Sequence, residues 1–197
     1  ERAKPFPKDI VIFSPHPDDD VISMGGTFAR LIKQGHNVHV AYETSGCISV
    51  CYEEVVRFMD FMKGYKLMHL PEDQVIDKKY DEYMNFFHNE KVGDNDTREI
   101  LNLKALIRRG EATAACRFMG LPTDHIHFLN LPFYETGTIK KGPLTQADVD
   151  IVKALLEEVK PQEIFAAGDL ADPHGTHRVC LDAVLAALDE LKHTAAW

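Results

Sequence analysis

The sequence predicts an α/β fold, a mostly parallel sheet with helices on both faces, and three adjacent segments carry that expectation. Ile10-Val11-Ile12-Phe13 is a short, wholly apolar run of the kind found in a strand buried on both sides. From Val21 to Gln34 the apolar positions Ile22, Phe28, Ala29, Leu31 and Ile32 suit an amphipathic helix, with Gly35 placed to end it. Val38 to Tyr42 then alternates as a second strand. Strand, helix and strand within about 33 residues make a βαβ unit, which requires a parallel pair and a right-handed crossover.

The remaining elements repeat this pattern. Glu53 to Lys63 and Ile100 to Met119 are expected to be helices, the second closed by Gly120. Ile126-His127-Phe128-Leu129 is a strand. Thr145, with Asp148 three residues on, forms a capping box for a helix that runs to Lys160, ahead of Pro161. Glu163 to Ala167 is a further strand, and His177 to Leu191 a final helix. The charged, aromatic stretch from Leu70 to Thr97 has weak periodicity and is read as an insertion with a short helix.

With 197 residues, the chain has the length of one domain with a substantial core. Its beginning, ERAKPFPKDI, has no initiating Met and no apolar secretory segment, and reads as a domain taken from a longer chain. No apolar run nears the roughly 20 residues that span a bilayer. Lys plus Arg number 22 against 31 Asp plus Glu, a net charge of −9, which disfavours partners such as nucleic acid and anionic membrane. Cys47, Cys51, Cys116 and Cys180 fit no C-x-x-C pattern, so free thiols and a cytoplasmic setting are expected.

Two clusters carry the chemistry. The first is His16-Pro17-Asp18-Asp19-Asp20, directly after the first strand, where ligands of open parallel sheets bind. Three successive carboxylates repel one another, and a divalent cation is the simplest compensation. An acidic first helical turn accounts for Asp20 and in part for Asp18 and Asp19, but leaves His16, between two prolines, without a role. The second cluster, Asp172-Pro173-His174-Gly175-Thr176-His177, follows the strand at 163–167. By itself it reads more readily as a polar loop whose His177 merely begins a helix. Taken together, the two clusters belong at the same sheet edge. His16, Asp19 and His177 would then hold zinc with an open fourth position, the arrangement of a catalytic site. Asp18, beside the ligands, suits a general base, and His174 an oxyanion partner or acid.

At these residues the sequence resembles the PIG-L/LmbE-like deacetylase family, whose His-Pro-Asp-Asp-Glu and His-x-x-His motifs stand here as His16–Asp20 and His174–His177. The resemblance extends to Met24-Gly25-Gly26-Thr27, whose small residues are expected to let the helix approach the sheet, and to Arg108-Arg109-Gly110-Glu111-Ala112. It implies a Rossmann-like sheet, zinc on His16, Asp19 and His177 (or Fe²⁺, which suits the same ligands), Asp18 as base and His174 as its partner. It also implies Arg108 as a substrate contact, and as substrate a small N-acetylated sugar of N-acetylglucosamine type, with a 6-phosphorylated form among the candidates. The chain is similar too to the PIG-L-type domain that some bacterial proteins carry beside a glucosamine-6-phosphate deaminase-like domain, so a fused or associated domain of that kind is a partner expectation; a homo-oligomer is another, which the sequence does not decide. Three positions depart from the family pattern: Asp20 replaces Glu, Thr176 stands where Asp or Asn is usual, and Asp172 replaces a tyrosine found in some members.

Other readings compete. Asp18-Asp19-Asp20 could open a Mg²⁺-dependent aspartyl phosphatase, but His16, His174 and His177 would then have no task. A domain that binds metal or sugar and regulates a partner enzyme without catalysis is compatible with the three departures. A nucleotide-binding dehydrogenase is disfavoured by the lack of G-x-G-x-x-G after the first strand.

Overall fold

The computed structural model describes residues 5–91, 93–168 and 171–192. Its elements fall into two compact units. The first comprises residues 1–45, 109–136 and 140–197, and the second residues 46–108 and 137–139.

The first unit is built on four parallel strands, β1 (Asp9–Ser14), β2 (Asn37–Tyr42), β3 (Ile126–Phe128) and β4 (Glu163–Ala166), in the order β3-β2-β1-β4. β1 is central, which explains its unbroken apolar run: Ile10, Val11, Ile12 and Phe13 are all buried. Because strand side chains alternate, Ile10 and Ile12 share one face with Val38, Val40 and Tyr42. That face packs with Phe28 and Leu31 of α1 (Asp19–Lys33) and with Ala112 and Cys116 near the end of α4 (Arg98–Met119). Val11, Phe13 and Ala41, equally buried, point to the other face. The helices α5 (Gln146–Val159) and α6 (Thr176–Leu191) pack on one another and bury Val152, Leu156, Ala183 and Val184. The capping box at α5 forms as expected, Asp148 Oδ2 accepting the Thr145 amide at 2.9 Å. The parallel α/β architecture is thus the one predicted.

In the second unit, α2 (Tyr52–His69) and α3 (Val75–Asn89) pack on one another and share a core with the first part of α4. Their core is Val50, Val55, Met59, Tyr83, Ile100 and Ile107. This corrects the expectation of an insertion with only a short helix. α3 has 15 residues, and Tyr80, Tyr83, Met84 and Phe87 recur at the i, i+3, i+4, i+7 spacing of one helical face, all facing that core. α2 likewise runs six residues past Lys63, to His69.

The glycines of α1 also differ from expectation. A Cβ on Gly26 would meet nothing within 4 Å, and one on Gly25 would make only ordinary contacts, so close approach does not require them. The adjacent peculiarity is a break in the helix at Met24, with φ −144° and ψ 20°. No helix among the described residues is long and apolar enough to cross a membrane.

Candidate metal centre

β1 ends at Ser14, whose hydroxyl donates to the His16 carbonyl at 2.6 Å and accepts the Asp20 amide at 3.0 Å. This folds the Pro-His-Pro turn back onto the start of α1. The extension of β2 clamps the same turn: the Thr44 hydroxyl and amide both donate to the Pro15 carbonyl, at 2.7 and 3.1 Å. His16 also donates its backbone N–H to Asp19 Oδ2 at 2.9 Å, fixing that carboxylate against its own imidazole.

The other half of the site comes from the loop after β4. Asp172, not assigned a structural role from sequence, accepts the backbone N–H of His174 at 3.0 Å and of His177 at 2.9 Å. Gly175 sits between them at φ +72°, a left-handed conformation that favours glycine. Burial raises the Asp172 pKa, but those two amides and the neighbouring histidines outweigh it, so the carboxyl lies below its usual value. The charged form is the one that holds the loop.

These two loops bring together the residues predicted as ligands. His16 Nδ1 lies 3.2 Å from His177 Nε2, and Asp19 Oδ2 lies 3.3 Å from each. Donors bound to one tetrahedral zinc at about 2.0–2.2 Å stand about 3.3–3.6 Å apart, so the three atoms already have the separation that a single cation imposes. Two imidazole nitrogens and a carboxylate oxygen also form a donor set that suits Zn²⁺ or Fe²⁺. His16, Asp19 and His177 can therefore hold a metal ion. Burial pushes the Asp19 carboxyl up, but hydrogen bonds from the His16 ring and amide, with the charges of His177 and His16, bring it below its usual value.

The other predicted residues are not members of this triangle. Asp18 is half-buried at the N-cap of α1 and lies between His16 and Asp19 in the sequence. His174 is exposed and is held through its amide. Arg108 is half-buried on α4 and belongs to the second unit. A cavity of about 380 Å³ opens beside Asp19 and His177, lined also by Ser23, Met24, Phe165 and Gly168.

Several further groups surround these residues, of which Tyr134, Lys141 and Glu43 were not singled out from sequence. Asp20 is buried and accepts the Tyr42 hydroxyl at 2.9 Å, so it ties the turn to β2, and burial raises its pKa despite that bond. The ring of Tyr134 meets His16 edge-on at 5.9 Å. Lys141 lies 5.3 Å over that tyrosine and donates to the hydroxyl of buried Thr176. Glu43, just past β2, is 1% exposed, and its Oε1 has no hydrogen-bond partner. Burial first, then the charge of Asp19, pushes its carboxyl up to about 8, against a Cys180 hydrogen bond that favours ionisation. The available sequence signal was a lone acid closing an apolar strand.

The profile of the PIG-L family, described as GlcNAc-PI de-N-acetylase, matches residues 11–188. The chain belongs to the PIG-L family. Within it, the chain is 61% identical to a Bacteroides thetaiotaomicron protein named putative glucosamine-6-phosphate deaminase-like protein. That match takes in all of this chain but 30% of the relative. Among solved structures, the N,N′-diacetylchitobiose deacetylase of Pyrococcus horikoshii, in complex with an inhibitor, matches with a TM-score of 0.55 at 21% identity. It aligns with 96% of this chain and 51% of its own, and shares its fold.

Proposed function

We propose that this PIG-L-family chain is a metal-dependent N-deacetylase acting on an N-acetylglucosamine-type sugar, free or 6-phosphorylated, with Zn²⁺ or Fe²⁺ on His16, Asp19 and His177. The observation that carries the reading is the 3.2–3.3 Å triangle of His16, Asp19 and His177 donor atoms, contributed from opposite ends of the chain. A divalent ion held there supplies Lewis acidity toward the amide carbonyl and lowers the pKa of water.

The chain's own residues supply the rest. Asp18 takes a proton from the attacking water as its oxygen bonds to the carbonyl carbon, and delivers that proton to the amide nitrogen as the C–N bond breaks. Acetate and the free amine leave. His174 stabilises the oxyanion of the tetrahedral intermediate, and Arg108 holds the phosphate or hydroxyls of the sugar. The four free thiols support a reducing, cytoplasmic setting. The name of the Bacteroides relative, and the 30% of it that this chain spans, support a deaminase-like domain as fused or associated partner.

The test is acetate release from N-acetylglucosamine, its 6-phosphate and N,N′-diacetylchitobiose by protein loaded with zinc or Fe²⁺, beside metal analysis. An Asp18→Asn variant is expected to retain the metal and to lose on the order of 10²–10⁴ in kcat. If the wild-type protein binds metal stoichiometrically yet releases no acetate from any of the three, the regulatory reading replaces the catalytic one. The exposed side chain of His174 is the feature that favours that second reading.

A further inference from the structure

Helix α2 has one apolar face buried and a second one left open. Val55 and Met59 enter the core of the second unit, whereas Phe58, Phe61, Met62, Tyr65 and Met68 are 37, 70, 41, 49 and 70% exposed. At 100° per residue these five cover a stripe of about 120°, beside the buried face rather than part of it. Their spacing is regular. Phe58, Phe61, Tyr65 and Met68 follow the a, d, a, d positions of two heptads, the repeat that packs one helix along another.

The exposed fractions amount to about 500 Å² of largely apolar surface, taking about 200 Å² for each side chain. A patch of that size is at the upper end of what a single soluble molecule presents, and such patches are commonly interaction sites.

We propose that α2 is the seam of a symmetric dimer between two copies of this chain, their α2 helices running antiparallel across a two-fold axis near Lys63. The spacing of the stripe favours a second copy over an unrelated partner. Phe58 and Met68 lie five residues to either side of Lys63, and Phe61 and Tyr65 two to either side. A two-fold axis there sets Phe58 against Met68 and Phe61 against Tyr65, each an a position facing a d position of the other helix. An isologous interface needs this self-complementarity. Size agrees: two copies together would remove about 1,000 Å² from water, the lower bound for a specific interface. Charge agrees as well. None of the five side chains is an acidic or basic residue, so the apolar stripe itself opposes no like charges, although Arg57 and His69 flank it and each copy carries a net charge of −9. An interface of this size belongs with weak, transient contacts, and the dimer tightens as salt screens that repulsion.

Sedimentation velocity over a micromolar concentration series tests this. The wild-type chain is expected to rise toward twice its monomer mass. A Phe61→Glu variant is expected to stay monomeric at every concentration, with unchanged far-UV circular dichroism. Register is tested separately, on a Cys51→Ser background that removes the exposed thiol. Mixing Phe61→Cys with Tyr65→Cys protein should give the mixed disulfide several-fold faster than either variant forms its own. A monomeric wild-type protein, a dimer indifferent to Phe61→Glu, or a preference for like-with-like disulfides would each overturn the proposal.

Discussion

Replacing Glu43 by Gln should stabilise the metal-free protein at neutral pH. The Glu43 carboxyl is 1% exposed, has an oxygen without a hydrogen-bond partner, and titrates at about 8 in place of 4.5. Between those two values the folded chain keeps a proton that the unfolded chain has released. The folded state binds more protons, so stability falls as pH rises through that window. At about 1.4 kcal/mol for each pH unit, the loss attributable to Glu43 is about 3 kcal/mol by pH 7 and about 4–5 kcal/mol above pH 8. Glutamine has nearly the same shape and can still accept from the Cys180 thiol, but carries no charge at any pH. Urea unfolding in the presence of a chelator measures the difference. Wild type and Glu43→Gln should have similar stability at pH 5, and the variant should be ahead by about 3 kcal/mol at pH 7. Parallel pH profiles for the two proteins would show that the carboxyl does not pay this penalty and that the reasoning from its burial is wrong.

Other expectations are smaller in scope. Asp172→Ala removes the acceptor of the His174 and His177 amides, and metal affinity measured by chelator competition should fall by about 10–100-fold. Burial, followed by the charges of His125 and His127, lowers the pKa of His39 to about 4. Stability is therefore lost as pH falls from 6.5 toward 4. The full linkage of about 3 kcal/mol is reduced by the half-exposure of the ring to about 1–2 kcal/mol, and His39→Gln should flatten urea midpoints across that range. Arg108→Ala should raise KM for a 6-phosphorylated substrate by about tenfold or more and leave kcat nearly unchanged, as expected for a residue that binds substrate and transition state alike. An unaltered KM would remove Arg108 from the site.

Legibility in the sequence followed the range of the interactions concerned. The capping box of Thr145 and Asp148 could be read because both partners lie within one helical turn. His16 and Asp19 could be paired because Ser14 and the prolines force a turn of a few residues. α3 was underestimated for the opposite reason. Its face of Tyr80, Tyr83, Met84 and Phe87 is interrupted by charges, and its apolar meaning comes from the core it shares with α2 and α4. Glu43 could not be picked out, since nothing nearby in sequence shows that Cys180 and Asp19 will surround it.

The amino-acid order by itself determined the parallel α/β architecture, because apolar periodicity and turn-forming residues act over a few positions, and it pointed to His16, Asp19 and His177 as the candidate donors. Convergence was decided only in three dimensions. His177 is 161 residues from His16 in the chain, and they meet because β1 and β4 are hydrogen-bonded neighbours whose ends release both loops at one edge. The burial of Glu43 and the exposure of the α2 stripe were settled at the same level, since whether a side chain meets water depends on which distant segments pack over it.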